Sequence, residues 1–342
     1  MKPLFPWLEH AGLANPWFFL GLFLAASFLM IWRLEAMAAG GFEATALGTL
    51  VMPYCTGMGN LVFVAVLVQQ GGPGTEVVTN CLVNNVTNLT LLVGLPLALW
   101  GGRDASPALR SAQGEGGPRR PGLATSLSGR PRPHDRAVFL TLGAVLLFTG
   151  VAWAVTWRKQ IGFPGGVLLV ALFFLWQAFH VFEVLQANRN QKRFIGPMLA
   201  VDLLLLAVCS YAIYVSTAWL VAWVSRIQTG LISVKYLGWL SGWLDVLPNA
   251  VLAFYYGWRR QPQVVYTSQI GDGHICIPLC LGLFALCRPI IVPAFFGLGV
   301  LLLCAAAFLH LVSIRLWGTL PRGIGWLLTA AYLLFLYEGL WK

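Results

Sequence analysis

Charged residues are scarce. Asp, Glu, Lys and Arg make up 10% of the 342 residues against 58% hydrophobic ones, and mean hydropathy is +0.75. A water-soluble domain carries about 25% charged residues, so that class is excluded. Alternating segments of about ten residues are missing, and the apolar runs are about twenty residues long and unbroken, which excludes a transmembrane β-barrel. Paired cysteine spacing is missing too. The 7 cysteines lie mostly inside apolar runs and give no disulfide framework. The net charge of +10 is spread over loops instead of forming a block interleaved with aromatics, so it speaks of membrane orientation and not of nucleic acid. No histidine cluster, G-x-S-x-G, P-loop or paired metal-binding carboxylate motif is present, which leaves an enzyme nothing to rest on. Residues 1–15 lack the basic start and small-residue cleavage site of a secretory signal, so the first span is expected to be an uncleaved helix.

What is there is a series of long apolar runs. They predict spans at Pro16 to Ile31, Phe42 to Gln70, Val77 to Trp100, Ala137 to Trp157, Phe163 to Leu185, Pro197 to Val224, Gly230 to Gly257, Val264 to Cys287, Ile290 to Ile314 and Ile324 to Trp341. The expectation is an all-α membrane protein of ten helices in two halves of five. Residues 1–100 hold helices one to three, 101–136 a flexible basic cytoplasmic loop rich in Arg, Pro, Gly and Ser, 137–188 helices four and five, and 194–342 the second five. Loops after odd-numbered helices carry fifteen of the 22 Lys and Arg residues. That bias puts both termini outside, on the periplasmic face if the membrane is a bacterial inner membrane. With an odd number of spans per half, the second half enters the bilayer inverted. The second and seventh spans are longer than the hydrocarbon requires, with Pro53, Gly57 and Gly59 in one and Gly242 and Pro248 in the other, so both are expected to break or kink there.

The informative stretch is Thr56 to Gly94, which sets Asn60, Asn80, Asn84, Asn85 and Asn88 inside apolar sequence. A second stretch, Asp245 to Gly282, repeats its grammar: Asn249 takes the place of Asn60, and Thr267 to Gly273 matches Thr79 to Asn85 position for position. Two halves with polar interruptions in corresponding hydrophobic segments are the pattern of a secondary transporter with its site at the bilayer midplane.

These residues resemble the cation/calcium exchanger superfamily, the sodium/calcium exchangers and their relatives. That family carries in each half a repeat of the form GTSLPE, about a dozen residues, then GNVxGSNIFN. Here TGMGN, Thr56 to Asn60, and DVLPN, Asp245 to Asn249, stand for TSLPE; TNCLVNNVTN, Thr79 to Asn88, and TSQIGDGHIC, Thr267 to Cys276, stand for the rest. The resemblance implies ten helices in two inverted repeats, cation antiport by alternating access, and an ion site between the two hairpins. It also implies that the first and sixth helices move against a core of the second, third, seventh and eighth. The family's two glutamates, which the resemblance would make the principal ligands, fall on Asn60 and Asn249. Calcium takes six to eight oxygens and its affinity follows the number of carboxylates, so this departure argues for a monovalent cation, a proton-coupled cycle or a soft metal.

The expected ion-binding set is Asn60, Asn80, Asn84, Asn249, Ser268 and Asp272, with Asp245 supplying charge. Each Asp could instead cap a half-helix, and the asparagines could instead be interhelical hydrogen-bond glue. Asp202 is read either as a proton or cation relay or as a partner for a neighbouring helix. His274 is a candidate proton relay, and Asp272, His274 and Cys276 a candidate soft-metal set that converges only if the helix breaks around them. Glu43, His180, Glu183, His310 and Glu338 are expected at interfacial span ends. No cofactor is expected beyond the transported cation; the expected partners are small inorganic cations and the lipid bilayer, with no nucleic acid. The competing class is a non-transporting membrane subunit or scaffold that keeps the fold while its site has decayed.

Overall fold

The computed structural model describes residues 15–39, 51, 54–101, 133–187, 198–259, 276–317 and 320–341, with backbone alone at 35, 38–39, 133–138, 187, 276 and 317. The helices are α1 (Pro16–Ala39), α2 (Met58–Gln70), α3 (Gly74–Trp100), α4 (Pro133–Val155), α5 (Phe163–Ala187), α6 (Met198–Val224), α7 (Leu237–Trp258), α8 (276–287), α9 (Phe296–Trp317) and α10 (Arg322–Trp341). Among the described residues, 7 of them are long and apolar enough to cross a membrane, and stretches of α2, α4 and α8 are shorter apolar helices. Each helix falls on an expected span.

The ends of the helices sort into two groups. At one end, β1 (Gln160–Ile161), in the α4–α5 connection, pairs antiparallel with β2 (Ile290–Ile291), in the α8–α9 connection. Thr75, at the start of α3, donates its hydroxyl to the Ile291 carbonyl at 2.9 Å. Gly71 closes α2 in the left-handed region (φ 72°), which a side chain would strain. Pro73 then starts α3 at once, so the α2–α3 turn lies at this end too. At the other end, Arg322 donates to the Leu99 carbonyl at 2.8 Å, and α10 crosses α3 where Gly94 and Gly325 bring the two backbones together. Connections after α2, α4 and α8 therefore gather at one face, and the end of α3 and the start of α10 at the other.

In a bilayer, polar groups must find partners inside the bundle, and α3 is where they are concentrated. Of its most apolar stretch 83% is buried, against 17% for α5, which is also more hydrophobic. Helix α3 contains a wider π-helical segment at Thr87–Leu92, and α8 begins with another at Cys276–Cys280. Under the Thr79-to-Thr267 matching, these two irregular segments overlap.

Three expectations are corrected. The span from Gly230 to Gly257 begins instead at Leu237, because Gly230 takes a left-handed conformation (φ 91°) and a short 3-10 turn, Val234–Tyr236, leads into the helix. Of the break or kink expected in that span, no break is present: α7 is continuous through Gly242 and Pro248, and a Cβ at Gly242 would press on Val83 and the Asn80 carbonyl. Ile290 is in a strand, and α9 starts only at Phe296. The interruption at Gly57 is present, as a turn ahead of Met58; Pro53 and the start of the predicted Phe42 to Gln70 span lie outside the described residues.

Candidate functional site

Helix α7 lies on α3 with two glycines one turn apart in the contact. A Cβ on Gly238 would overlap the Glu76 carbonyl and Thr79, and one on Gly242 would meet Val83 at 2.8 Å. Small residues four apart let membrane helices approach this closely. The closeness has a chemical result. Asn80 on α3 is fully buried, and its Nδ2 donates to Ser241 Oγ and to Asp245 Oδ2, both at 3.0 Å. Ser241 donates onward to the Gly238 carbonyl at 3.1 Å. The second carboxylate oxygen of Asp245 lies against Gly59 of α2, where any Cβ would overlap it. Glycine at 59 makes room for an acid from the other half of the chain.

Two oxygens beside this contact have no donor: Asn60 Oδ1, next to Gly59 in sequence, and Asn80 Oδ1, whose own NH2 group is fully used. A buried acceptor left without a donor costs about 1–3 kcal/mol, a cost that a hydrogen-bond donor or a cation at this place would remove. No Lys, Arg or His among the described residues pairs with Asp245. Helices α2, α3 and α7 thus present one formal negative charge and open amide oxygens.

One and two turns along α3, Asn88 Nδ2 donates to Asn84 Oδ1 at 2.8 Å, and Asn85 Nδ2 donates to its own helix at the Cys81 carbonyl, 2.8 Å. The π-helical segment that follows is held from outside. His310 of α9, fully buried, places Nε2 3.0 Å from the Leu89 carbonyl. Tyr332 of α10 accepts from Trp243 Nε1 of α7 at 3.0 Å and meets the Thr87 hydroxyl at 3.4 Å.

Of the expected residues, the structure brings Asn60, Asn80 and Asp245 to one place, with Asn84 one turn further along α3. Asn249 is half-buried on α7, one turn beyond Asp245. Asp202 forms an ion pair with Arg33 of α1. Glu43, Ser268, Asp272 and His274 lie outside the described residues, and Cys276 is described by backbone alone. Among the described residues no three His, Cys, Asp or Glu side chains gather as for a metal ion. Sequence reading missed Ser241, Glu76 and Tyr332, and gave Gly59 and His310 other roles. Ser241 could have been found four residues before Asp245, on the same helix face. His310, foreseen at an interface, is instead in the core, because the carbonyl it meets belongs to an irregular turn that no periodicity announces.

Residues 16–182 match the sequence family described as sodium/calcium exchanger protein. The chain also superposes on solved structures of the sodium-calcium exchanger NCX_Mj. With the form soaked in 100 mM Na+ and 10 mM Sr2+ it shares a TM-score of 0.62 and 18% identity, over 95% of this chain and 96% of that one. With the form soaked in zero Na+ and Ca2+ the values are 0.59 and 17%, over 93% and 94%. The chain has the sodium/calcium exchanger fold. The resemblance to the cation/calcium exchanger superfamily read from the two hairpins is borne out, by sequence over the first half and by fold over the whole. A search of curated protein sequences finds no significant match. In this exchanger-fold protein the acid of the described site comes from α7, while both positions that match the family's glutamates carry amides.

Proposed function

We propose that the protein is a secondary transporter of small inorganic cations, an antiporter of sodium/calcium exchanger type that binds its ion between the two polar hairpins and works by alternating access. The observation that carries this reading is Asp245, an intramembrane acid hydrogen-bonded by Asn80 and packed on Gly59, with no basic partner among the described residues. Acids in that position are functional by default. Asn60, Asn80, Asn84 and Asn249 contribute amide oxygens around it, and Ser268 and Asp272 complete the site from the second hairpin. With amides at both glutamate positions the site favours a monovalent cation, sodium or a proton, over calcium.

Two inverted five-helix repeats form the scaffold in this reading. The overlapping π-helical segments in α3 and α8 support the duplication, and the alternating gathering of the helix connections supports an up-and-down path of ten spans. The Lys and Arg bias puts the face carrying the α2–α3 turn outside, with both termini. Helices α1 and α6, joined to each other by an ion pair, are the pair that moves against α2, α3, α7 and α8.

The test is flux of radioactive sodium into proteoliposomes holding the purified full-length protein, with sodium, calcium, potassium and proton gradients imposed in turn. Gradient-driven flux that Asp245→Asn removes is the expected result. Flux equal to that of protein-free vesicles under every gradient would make the protein a non-transporting membrane subunit instead.

A further inference from the structure

We infer that Glu76 is an outer docking carboxylate, which draws a cation to the face of the α2–α3 turn and so raises its concentration at the entrance to the site of Asp245. This rests on the transport reading above. Glu76 stands in the first turn of α3 and is half-buried. Its Oε2 accepts from the backbone N–H of Gly238, the second residue of α7, at 2.6 Å. Two helix N-termini therefore meet at this acid. Each presents unsatisfied N–H groups and a partial positive charge, a field that turns cations away from this end of the contact. The Glu76 carboxylate offsets it.

From Glu76 the polar groups step inward one turn at a time. On α3 they are Glu76, Asn80 and Asn84; on α7 they are Gly238, Ser241 and Asp245. Each turn advances about 5–6 Å. Midway stands the Asn80 side chain, fully buried, with an Oδ1 that no donor meets and an NH2 group bonded to Ser241 and Asp245. That open acceptor belongs to the residue one turn along α3 from Glu76 that also bonds Asp245, and both acids are half-buried. A tether between α3 and α7 would use the hydrogen bond accepted from Gly238 and the charge at the two helix N-termini. What a tether does not produce is an effect on sodium from one face alone.

Glu76→Gln is the decisive variant because it keeps the acceptor and removes the charge. Full-length protein is reconstituted in vesicles sorted for one orientation, and the KM for sodium is measured with sodium varied on one face at a time. The expected result is a rise of about tenfold in KM from the face of the α2–α3 turn, with KM from the opposite face and the maximal rate unchanged. KM values unaltered on both faces, or raised equally on both, overturn the inference: the first makes Glu76 a tether, the second a part of the central site. Glu76→Asp, which retracts the carboxylate by one methylene, covers a Gln variant that does not fold; the same one-sided rise is expected, and its absence overturns the proposal. Wild-type protein without sodium flux overturns the transport reading and this inference together, whereas wild-type flux with an unaltered Glu76→Gln variant overturns only the inference.

Discussion

Of the helix contacts between the first half of the chain and the second, two hold an aspartate. In the α1–α6 contact Asp202 is paired with Arg33, the Arg33 guanidinium also lies 5.1 Å from the Trp32 ring centroid, and further along Phe19 stacks on Trp219 at 4.5 Å. In the α3–α7 contact Asp245 faces an amide, a hydroxyl relay and a bare glycine. The first acid has its charge cancelled by a covalent part of the protein. Among the described residues the second has only dipoles around it, so under the transport reading its counter-charge is the ion that arrives and leaves. That difference in partners is what distinguishes the two acids.

The sharpest way to break the comparison is to neutralise each acid in turn. Asp245→Asn leaves a group that still accepts from Asn80 and differs mainly in charge, so the fold should persist while sodium flux falls at least about a hundredfold, the scale expected for a lost charged ligand at a dry site. Flux and thermal unfolding of the same preparation check the two halves of that statement. Gly59→Ala acts on the same carboxylate sterically, since its Cβ overlaps the carboxylate oxygen. It should lower flux about tenfold and destabilise the protein by roughly 1–3 kcal/mol through overpacking.

Asp202→Asn is the control on the other side. It strands the Arg33 charge in a setting where its Nε already has no partner, and breaking one member of a buried pair costs roughly 3 kcal/mol or more. Lower thermal stability with near-normal flux per folded molecule is expected. Replacing both partners together, Arg33→Met with Asp202→Leu, should recover most of the stability, because no unpaired charge is left. If Asp202→Asn lost flux as completely as Asp245→Asn while keeping its stability, Asp202 would be the relay that the sequence left open, and the contrast between the two contacts would fall.

The sequence disclosed much of the architecture because bilayer physics is severe: apolar runs of about twenty residues have few other uses, and the helices of the described residues fall on the anticipated spans, 7 of them long and apolar enough to cross a membrane. It disclosed the central acid and amides for the same reason, since Asn60, Asn80 and Asp245 are conspicuous against their neighbours. What it hid were residues that matter through closeness and not through chemistry. Gly59 and Gly242 read as helix breakers, yet one makes space for a carboxylate and the other packs on Asn80. Pro248 sits within a continuous α7. Glu76 looked like an ordinary first-turn acid because its partner, the start of α7, is distant in sequence.

His310 offers the smallest and most local test of how a scaffold helix supports the α3–α7 contact. Helix α3 widens at Thr87–Leu92, where π-helical turns loosen the regular i-to-i−4 ladder, and the Leu89 carbonyl there meets His310 Nε2 at 3.0 Å. His310→Phe keeps the ring volume and removes the donor, so a buried carbonyl loses its outside partner at a cost of about 1–2 kcal/mol. His310→Gln can still reach with an N–H and should recover part of that loss. Neither variant changes a charge at Asp245, so sodium flux at saturation should stay within about twofold of wild type while unfolding comes a few degrees lower for the Phe variant. A Phe variant as stable as wild type would mean that the irregular segment holds its shape from within α3, by its own Thr90-to-Val86 bond, and that α9 merely leans against it.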